Sequence, residues 1–345
     1  MATNAPVSLI VVNHNGGQRL QALLESLERS TYRRFEVIVV ENGSTDNSQR
    51  ILEGFGDTVS WLSVVRLENN EPLIRATNKG LGAASNEIVG LIHNDVIVSP
   101  TWLEECMNII SRSDRIGAVQ GKTFNYDSRT ILDGCGCVMD RHGCEHERGQ
   151  GEPDDGRFDT ECQIFCASGV ASIFRKTAIA EAGSFDENYE TGLDDVDLCW
   201  RMRLAGYDII YAPKAVAQHI RGRTWKSSKT LSRKLVLEFA KTRMYVPYKN
   251  FEPMWFFANL PILLLHFAGG VLINLRRPQN ASAYLEALVW FFGNLPLAES
   301  ERLRVRQRVR RIPDRMLFEN AEPGCNLVNY FIAPRIAAIL KRVKS

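Results

Sequence analysis

The sequence predicts an α/β fold, a doubly wound and mostly parallel sheet, followed by a helical C-terminal region that is both apolar and basic. Two observations predict the sheet. Runs such as Val7–Val12 and Phe35–Val40 are continuous and β-branched, as strands covered on both faces are, and segments with helically spaced leucines alternate with them. Strand and helix patterns alternating in this way argue for βαβ units. A third observation, a change of composition near residue 221, predicts the appended region.

Val7–Val12 opens the chain as a strand, and Leu20, Leu23, Leu24 and Leu27 predict a helix leading to a second strand, Phe35–Val40. Asp46–Phe55 reads as a helix, Trp61–Leu67 as a strand, Arg75–Ser85 as a helix and Glu87–His93 as a fourth strand. Residues 126–162 are rich in Gly, Asp, Cys and His with little periodicity, which predicts a long functional loop across the ligand edge of the sheet. A helix over Phe174–Ala182, a turn at Gly183–Glu187, a helix from Asp195 to Ala205 stopped by Gly206, and a short strand at Ile209–Tyr211 complete this part.

With 345 residues, 45% of them hydrophobic, the chain can bury a sizeable core. Residues 1–220 carry 20 Lys/Arg against 32 Asp/Glu, whereas 221–345 carry 22 against 8. The acidic part suits metal and hydroxyl chemistry. The basic, apolar part suits an anionic membrane surface, and no nucleic-acid motif accompanies it, so no nucleic-acid partner is expected. The turn Asn13-His14-Asn15-Gly16-Gly17 is not the Gly-x-Gly-x-x-Gly dinucleotide fingerprint, and a Gly-x-x-x-x-Gly-Lys-Ser/Thr loop is absent, which argues against dehydrogenase and P-loop readings. Met1–Pro6 is short and uncharged and runs straight into a strand pattern, so the expected location is the cytoplasmic side of the inner (plasma) membrane. The eight cysteines are then read as reduced thiols or metal ligands. Cys135, Cys137, His142, Cys144 and His146 offer soft ligands that zinc accepts, although their spacing is unlike a Cys-x-x-Cys pair.

Four polar clusters fall where strands should end: Asn13-His14-Asn15, Glu41-Asn42-Gly43-Ser44, Asn69-Asn70 and His93-Asn94-Asp95. In an open, mostly parallel sheet the carboxyl ends of the strands border one crevice, so these clusters should converge on one ligand. Asp95 reads either as an oxygen ligand for Mg²⁺ or Mn²⁺ or as a turn residue at a strand end. Asp194, Asp195 and Asp197 read either as a reactive cluster or as acidic residues that offset the macrodipole of a helix start.

Three ordered blocks resemble the family-2 inverting glycosyltransferases of the GT-A fold. The first runs from Val7 to Ser48, with Asn13-His14-Asn15-Gly16 and Glu41-Asn42-Gly43-Ser44-Thr45-Asp46; the second from Asn78-Lys79-Gly80 to Pro100, with His93-Asn94-Asp95. The third is Gly183-Ser184-Phe185-Asp186-Glu187 through Asp194-Asp195-Val196-Asp197-Leu198-Cys199-Trp200-Arg201 to Gly206-Tyr207. The resemblance implies a GT-A nucleotide-sugar-binding fold and a Mg²⁺ or Mn²⁺ cofactor. It implies Asp195 as catalytic base with Asp194 beside it, and Asp95 and His219 at the metal, where a lone His after a strand otherwise reads as structural. Asn13, Asn15, Glu41, Asn42, Arg75, Asn78, Asn94 and Asp95 would hold the donor. Two positions depart from the family pattern: Glu41 replaces an Asp, and His93 replaces a first carboxylate or Asn. The stretch Asp140–Glu152 is similar to a loop of rhamnosyltransferase-like members.

The expected organisation is a catalytic domain over 1–222 and a helical region over 223–345 for membrane or acceptor association. Met254–Leu275 holds 22 residues without Asp, Glu, Lys or Arg, long enough to span a bilayer, but its flanks are basic at both ends. That favours a re-entrant or interfacial element broken at Pro261, the alternative being a helical subdomain packed on the catalytic domain. Ala283–Ala298 is a second apolar element, and seven arginines follow within 302–315, a belt for anionic headgroups or an acceptor's diphosphate. The expected activity is transfer of a sugar, rhamnose by resemblance, from a dTDP- or UDP-sugar to a lipid-linked or glycan acceptor. A non-catalytic membrane scaffold that binds nucleotide or glycan is the rival from another class.

Overall fold

The computed structural model describes residues 4–220 and 232–319. The expected boundary at 222/223 and Cys325 lie outside the described residues. The strands β1 (Val7–Asn13), β2 (Phe35–Asn42), β3 (Leu62–Leu67) and β4 (Ile88–Ile92) pair in parallel in the order β4-β1-β2-β3. Alternate residues feed two cores, one on each face. Leu9 and Val11 pack with the predicted leucines of α1 (Gln18–Glu28), while Ile10, Ile38 and Val40 pack with Ile74 and Ala76 of α3 (Leu73–Ala83), α2 being Ser48–Gly56. A Cβ at Gly80 would lie 2.5 Å from Ile10 Cγ2, so the absence of a side chain there sets how closely α3 approaches the sheet.

Beyond β4 the sheet becomes mixed. After β5 (Val96–Val98) and α4 (Trp102–Ile110) comes β6 (Ile116–Asn125), which the periodicity reading passed over. The region read as one long loop folds instead as β7 (Ser128–Gly134), which pairs with β6, a hairpin of β8 (Cys137–Met139) and β9 (Glu145–Glu147), and β10 (Cys162–Gln163), which pairs with the later strand β12 (Asp208–His219). β11 (Ala171–Arg175) lies antiparallel between β4 and β6. Phe174 and Arg175 therefore belong to a strand, and the helix predicted from Phe174 begins at Lys176 as α5 (Lys176–Ala182). Insertion of Ala171-Ser172-Ile173-Phe174-Arg175 between two strands outweighs its short-range helical pattern. The helix α6 (Asp194–Leu204) matches the prediction within one residue. β12 (Asp208–His219) runs much further than Ile209–Tyr211, because a bulge between Ala212 and Val216 accommodates Pro213.

The C-terminal helices complete one of the two cores. They are α7 (Arg233–Asn250), α8 (Pro253–Ile273), α9 (Pro278–Gly293) and α10 (Leu295–Arg304), followed by a wide turn at Val305–Val309 and α11 (Asp314–Leu317). Met244, Tyr245, Phe251, Phe267 and Phe291 share a buried cluster with Trp200 and Leu198 of α6. α8 is continuous through Pro261, where a break was expected. Pro261 sits on the outward side of the helix, so the carbonyl it leaves without a donor does not lie in the core.

Candidate active site

Strand pairing assembles the site. In the antiparallel pairing of β12 with β5, His219 stands opposite Val96, and the Ile220 amide donates to the Asp95 carbonyl at 2.8 Å. Asp95 and His219, far apart in sequence, thus become neighbours, with His219 Nε2 3.2 Å from Asp95 Oδ1. The other imidazole nitrogen, Nδ1, lies 2.8 Å from Asp133 Oδ2, on β7. His93 closes the group: its ring centroid is 5.8 Å from that of His219, and the potential ligand atoms of His93, Asp95 and His219 all fall within 4.8 Å of one another.

The electrostatics of this cluster follow from burial and charge. Burial opposes ionisation of Asp95, yet the hydrogen bond and charge of His219 hold its carboxyl down to about 2. Burial disfavours the His219 cation, but Asp133 and Asp95 outweigh it and raise the imidazole to about 9. Burial, then the charge of His219, push His93 down to about 4. Two imidazoles and a carboxylate are a donor set for a divalent transition-metal ion, and an Asp133 carboxylate accepting from Nδ1–H of His219 leaves Nε2 facing the cluster, as an orienting partner of a ligating His does. The residues present fit a divalent cation.

The cluster borders a cleft of about 340 Å³ lined by Val12, His14, Asn42, Asn70, Glu71, Asn94, Asp95, Phe185, Asp194 and Asp195. The predicted donor-binding residues take different places around it. Asn42, Asn94 and Asp95 line the cleft. Asn13 and Glu41 form its buried footing: Asn13 Nδ2 donates to Glu41 Oε2 at 2.7 Å and Asn94 Nδ2 donates to Asn13 Oδ1 at 2.9 Å, while Glu41 Oε1 accepts from the Ser44 amide at 2.8 Å. The extra methylene of Glu41 is thereby used to reach its own turn. Asn15, held at φ 52°, accepts from the Thr45 amide at 2.8 Å, and Asn78 fastens α3 to the Phe185 carbonyl at 3.0 Å. Arg75 is exposed and lies 3.7 Å from Glu187. Asn42 itself grips the Glu71 backbone with both side-chain atoms, at 2.8 and 2.9 Å.

A second cavity of about 330 Å³ adjoins the first, and His93, Gly169, Asp194 and Asp195 border both. Its outer wall comes from the former loop region: Asp133, Gly134, Glu147 and Gln150. Burial, then the charge of Asp195, raise Asp194 to about 7. Asp195 is raised as well by burial, which outweighs its acceptance of amide hydrogen bonds from Val196 at 2.8 Å and Gly169 at 3.3 Å. Both carboxylates face open space at a helix start, where a raised value suits proton abstraction near neutral pH.

His14 and Asn70, from the strand-end clusters, line the cleft, whereas Asp133 and Glu71 take places in the site that residue patterns did not single out. Asp133 carried the weakest signal, one Asp within an aperiodic stretch whose partner is revealed only by the pairing of β7 with β6. The five soft ligands of the 135–146 stretch have different partners: His142 Nδ1 meets Asn259 Oδ1 at 2.5 Å, Cys144 Sγ lies 3.8 Å from His266 Nε2, and His146 lies 3.8 Å from Asp140. Among the described residues, Cys106, Cys135, Cys137, Cys144, Cys162, Cys166 and Cys199 form no disulfide.

A mostly parallel α/β sheet with one inserted antiparallel strand, polar clusters at its carboxyl edge and two cavities meeting at paired carboxylates define a GT-A-type architecture. The chain belongs to glycosyl transferase family 2, whose model matches residues 8–182. It is 26% identical over 212 residues to the poly-beta-1,6-N-acetyl-D-glucosamine synthase of Staphylococcus epidermidis, an alignment covering 61% of this chain and 48% of the synthase. The chain thus spans about half the length of that relative. Among solved structures it resembles TarS 1-349 of S. aureus in complex with UDP-GlcNAc (TM-score 0.59, 18% identity, covering 90% of this chain and 91% of that one). It also resembles the mannosyltransferase PcManGT of Pyrobaculum calidifontis in complex with GDP-Man and Mn²⁺ (TM-score 0.53, 18% identity, covering 91% and 83%).

Proposed function

We propose that this chain is a metal-dependent, inverting glycosyltransferase that moves a sugar from a nucleoside-diphosphate donor to a hydroxyl of a lipid-linked or glycan acceptor at the cytoplasmic membrane surface. The observation that carries the reading is the convergence of the His93–Asp95–His219 cluster and the Asp194–Asp195 pair on two adjoining cavities. Asn42 and Asn94 orient the nucleotide in the first cavity. Asp95, His219 and His93 hold the cation, with Asp133 fixing His219. Bound there, Mn²⁺ or Mg²⁺ supplies positive charge for the departing diphosphate. Asp195 takes the proton of the acceptor hydroxyl as its oxygen bonds to the anomeric carbon; the carbon–phosphate oxygen bond breaks and its electron pair leaves with the nucleoside diphosphate, so the anomeric configuration inverts. Asp194 stands beside Asp195 at the same helix start, and burial keeps the proton affinity of Asp195 high. A dTDP- or UDP-sugar is the expected donor, and the resemblance of Asp140–Glu152 to a rhamnosyltransferase loop supports rhamnose as the sugar.

A thermal-shift panel of dTDP, UDP, GDP and CDP, each with and without Mn²⁺ or Mg²⁺, tests the reading. A nucleotide at about 100 times its dissociation constant stabilises the protein by roughly 2.7 kcal/mol. One nucleotide acting only with metal, and not in Asp95→Ala, is the expected result. Folded protein indifferent to the whole panel would favour a non-catalytic scaffold.

A further inference from the structure

α8 is long and apolar enough to cross a membrane, but its two sides do different things. One stripe, Phe256, Asn259, Leu263, His266, Phe267 and Gly270, is buried against the protein. Several of these contacts reach the catalytic half. Asn259 Nδ2 donates to the Arg141 carbonyl at 3.2 Å and its Oδ1 meets His142, the Trp255 indole donates to the same carbonyl at 3.0 Å, and His266 lies against Cys144. The opposite side is unusual. Every residue that α8 presents to solvent is Pro, Met, Phe, Ala or Leu. Met254 is 85% exposed, Phe257 64% and Leu272 64%, and α9, packed on α8 through Phe267 and Tyr284, adds Val289 and Phe292 at 72% and 67%. An outward face without one polar side chain over about 32 Å of helix is the reverse of a water-facing helix.

We infer that α8 is an in-plane membrane foot: it lies flat in one leaflet of an anionic bilayer, does not cross it, and ties the membrane surface to the wall of the second cavity. Three features of the molecule support this. A helix fastened from Trp255 to His266 to the tip of the β8–β9 hairpin cannot cross hydrocarbon without dragging Arg141, His142 and Glu145 with it, and Glu145 is paired with Arg243 of α7. The charge matches a lipid occupant, since Arg276 and Arg277 stand exposed directly after the apolar stripe. The same hairpin that holds α8 carries Glu147, which with Gln150 lines the second cavity, so a lipid-held acceptor would meet Asp195 from the membrane side.

The inference deepens the membrane reading above, and its test is separable from the enzymatic one because nucleotide-induced stabilisation is read on the same proteins. Full-length protein is floated with vesicles of phosphatidylcholine alone and of phosphatidylcholine with phosphatidylglycerol. Binding to the anionic vesicles is expected, with at least a tenfold loss of partitioning in the double variant Phe257→Glu, Leu272→Glu and an unchanged nucleotide response. The Leu265→Trp variant should gain fluorescence quenching, relative to wild type, from lipids brominated near the headgroup and not from lipids brominated at the chain ends. Chain-end quenching would mean that the helix crosses. Wild-type flotation by the Glu variant would overturn the foot. So would a wild type that ignores vesicles, whether it is a dimer by light scattering that the variant abolishes, the face being covered by a second copy, or a monomer, the face being covered by residues 320–345.

Discussion

Helix α6 sets two kinds of carboxylate within four residues. Asp194 and Asp195 open onto the cavities, have no cationic side chain in contact among the described residues, and are shifted upward by burial and, for Asp194, by the charge of Asp195. Asp197 lies less than one turn further on and is fully buried. It accepts from Arg201 Nη2 at 2.9 Å, Lys249 Nζ at 2.8 Å, Asn250 Nδ2 at 2.7 Å and Tyr189 Oη at 3.2 Å. Burial opposes its ionisation, but Arg201 and Lys249 more than compensate and hold the carboxyl far below its usual range. The comparison shows how one helix sets like groups in unlike environments that push their proton affinities apart; under the proposed function, the group left hungry for a proton is the one that takes it. Asp197 and Lys249 also join the catalytic sheet to the C-terminal helices, because Lys249 bridges to Asp186 at 2.5 Å as well.

The largest effect should come from cutting that bridge. Asp197→Ala leaves the buried Arg201 without a carboxylate and Lys249 with Asp186 alone, and should cost about 3–5 kcal/mol, seen as lost soluble expression or a much lower denaturation midpoint. A midpoint within about 0.5 M urea of wild type, with an unchanged slope, would erase the contrast between the two kinds of carboxylate, since a slope of about 1–3 kcal/mol/M would then allow at most about 1.5 kcal/mol of loss. Asp133→Asn should lower Mn²⁺ affinity about 10–100-fold, measured by Mn²⁺ paramagnetic resonance with nucleotide present, while folding is kept. An unchanged affinity would reduce Asp133 to a structural partner of His219.

The smallest effect is the most diagnostic of sign. Asp194 has a native value above its unfolded one, so the native state binds the extra proton and stability from this group falls as pH rises from about 4 to about 7. Asp197 runs the other way, its contribution being present above about 4 and lost as pH falls further. Asp194→Asn should therefore gain on the order of 1 kcal/mol at pH 8 and nothing at pH 4. A loss at pH 8 would show that the ionised carboxylate is stabilised in a way the geometry does not contain.

Much of the fold was legible because strands covered on both faces and leucine-spaced helices are local patterns. The boundaries of α1, α2, α3 and α6 fell within a few residues, and Asp95 and Asp195 border the cleft as expected. What escaped depended on partners distant in sequence. β6, β7 and the β8–β9 hairpin pair through residues that show no period, and Phe174 took a strand conformation because β4 and β6 flank it. Glu41 and Asn13 were read as ligand contacts from their position at strand ends, but two neighbouring strand ends can also satisfy one another, and these do. Asp133 needed the same long-range information.

The central claim is that Asp195 accepts the acceptor's proton, and kinetics on Asp195→Asn test it most directly. Transfer would be measured with the donor that the nucleotide panel selects, and Mn²⁺-dependent nucleotide affinity would be determined on the same preparation. The account predicts unchanged affinity with transfer reduced about 10²–10⁴-fold. Transfer above a tenth of the wild-type rate, with affinity intact, would contradict it.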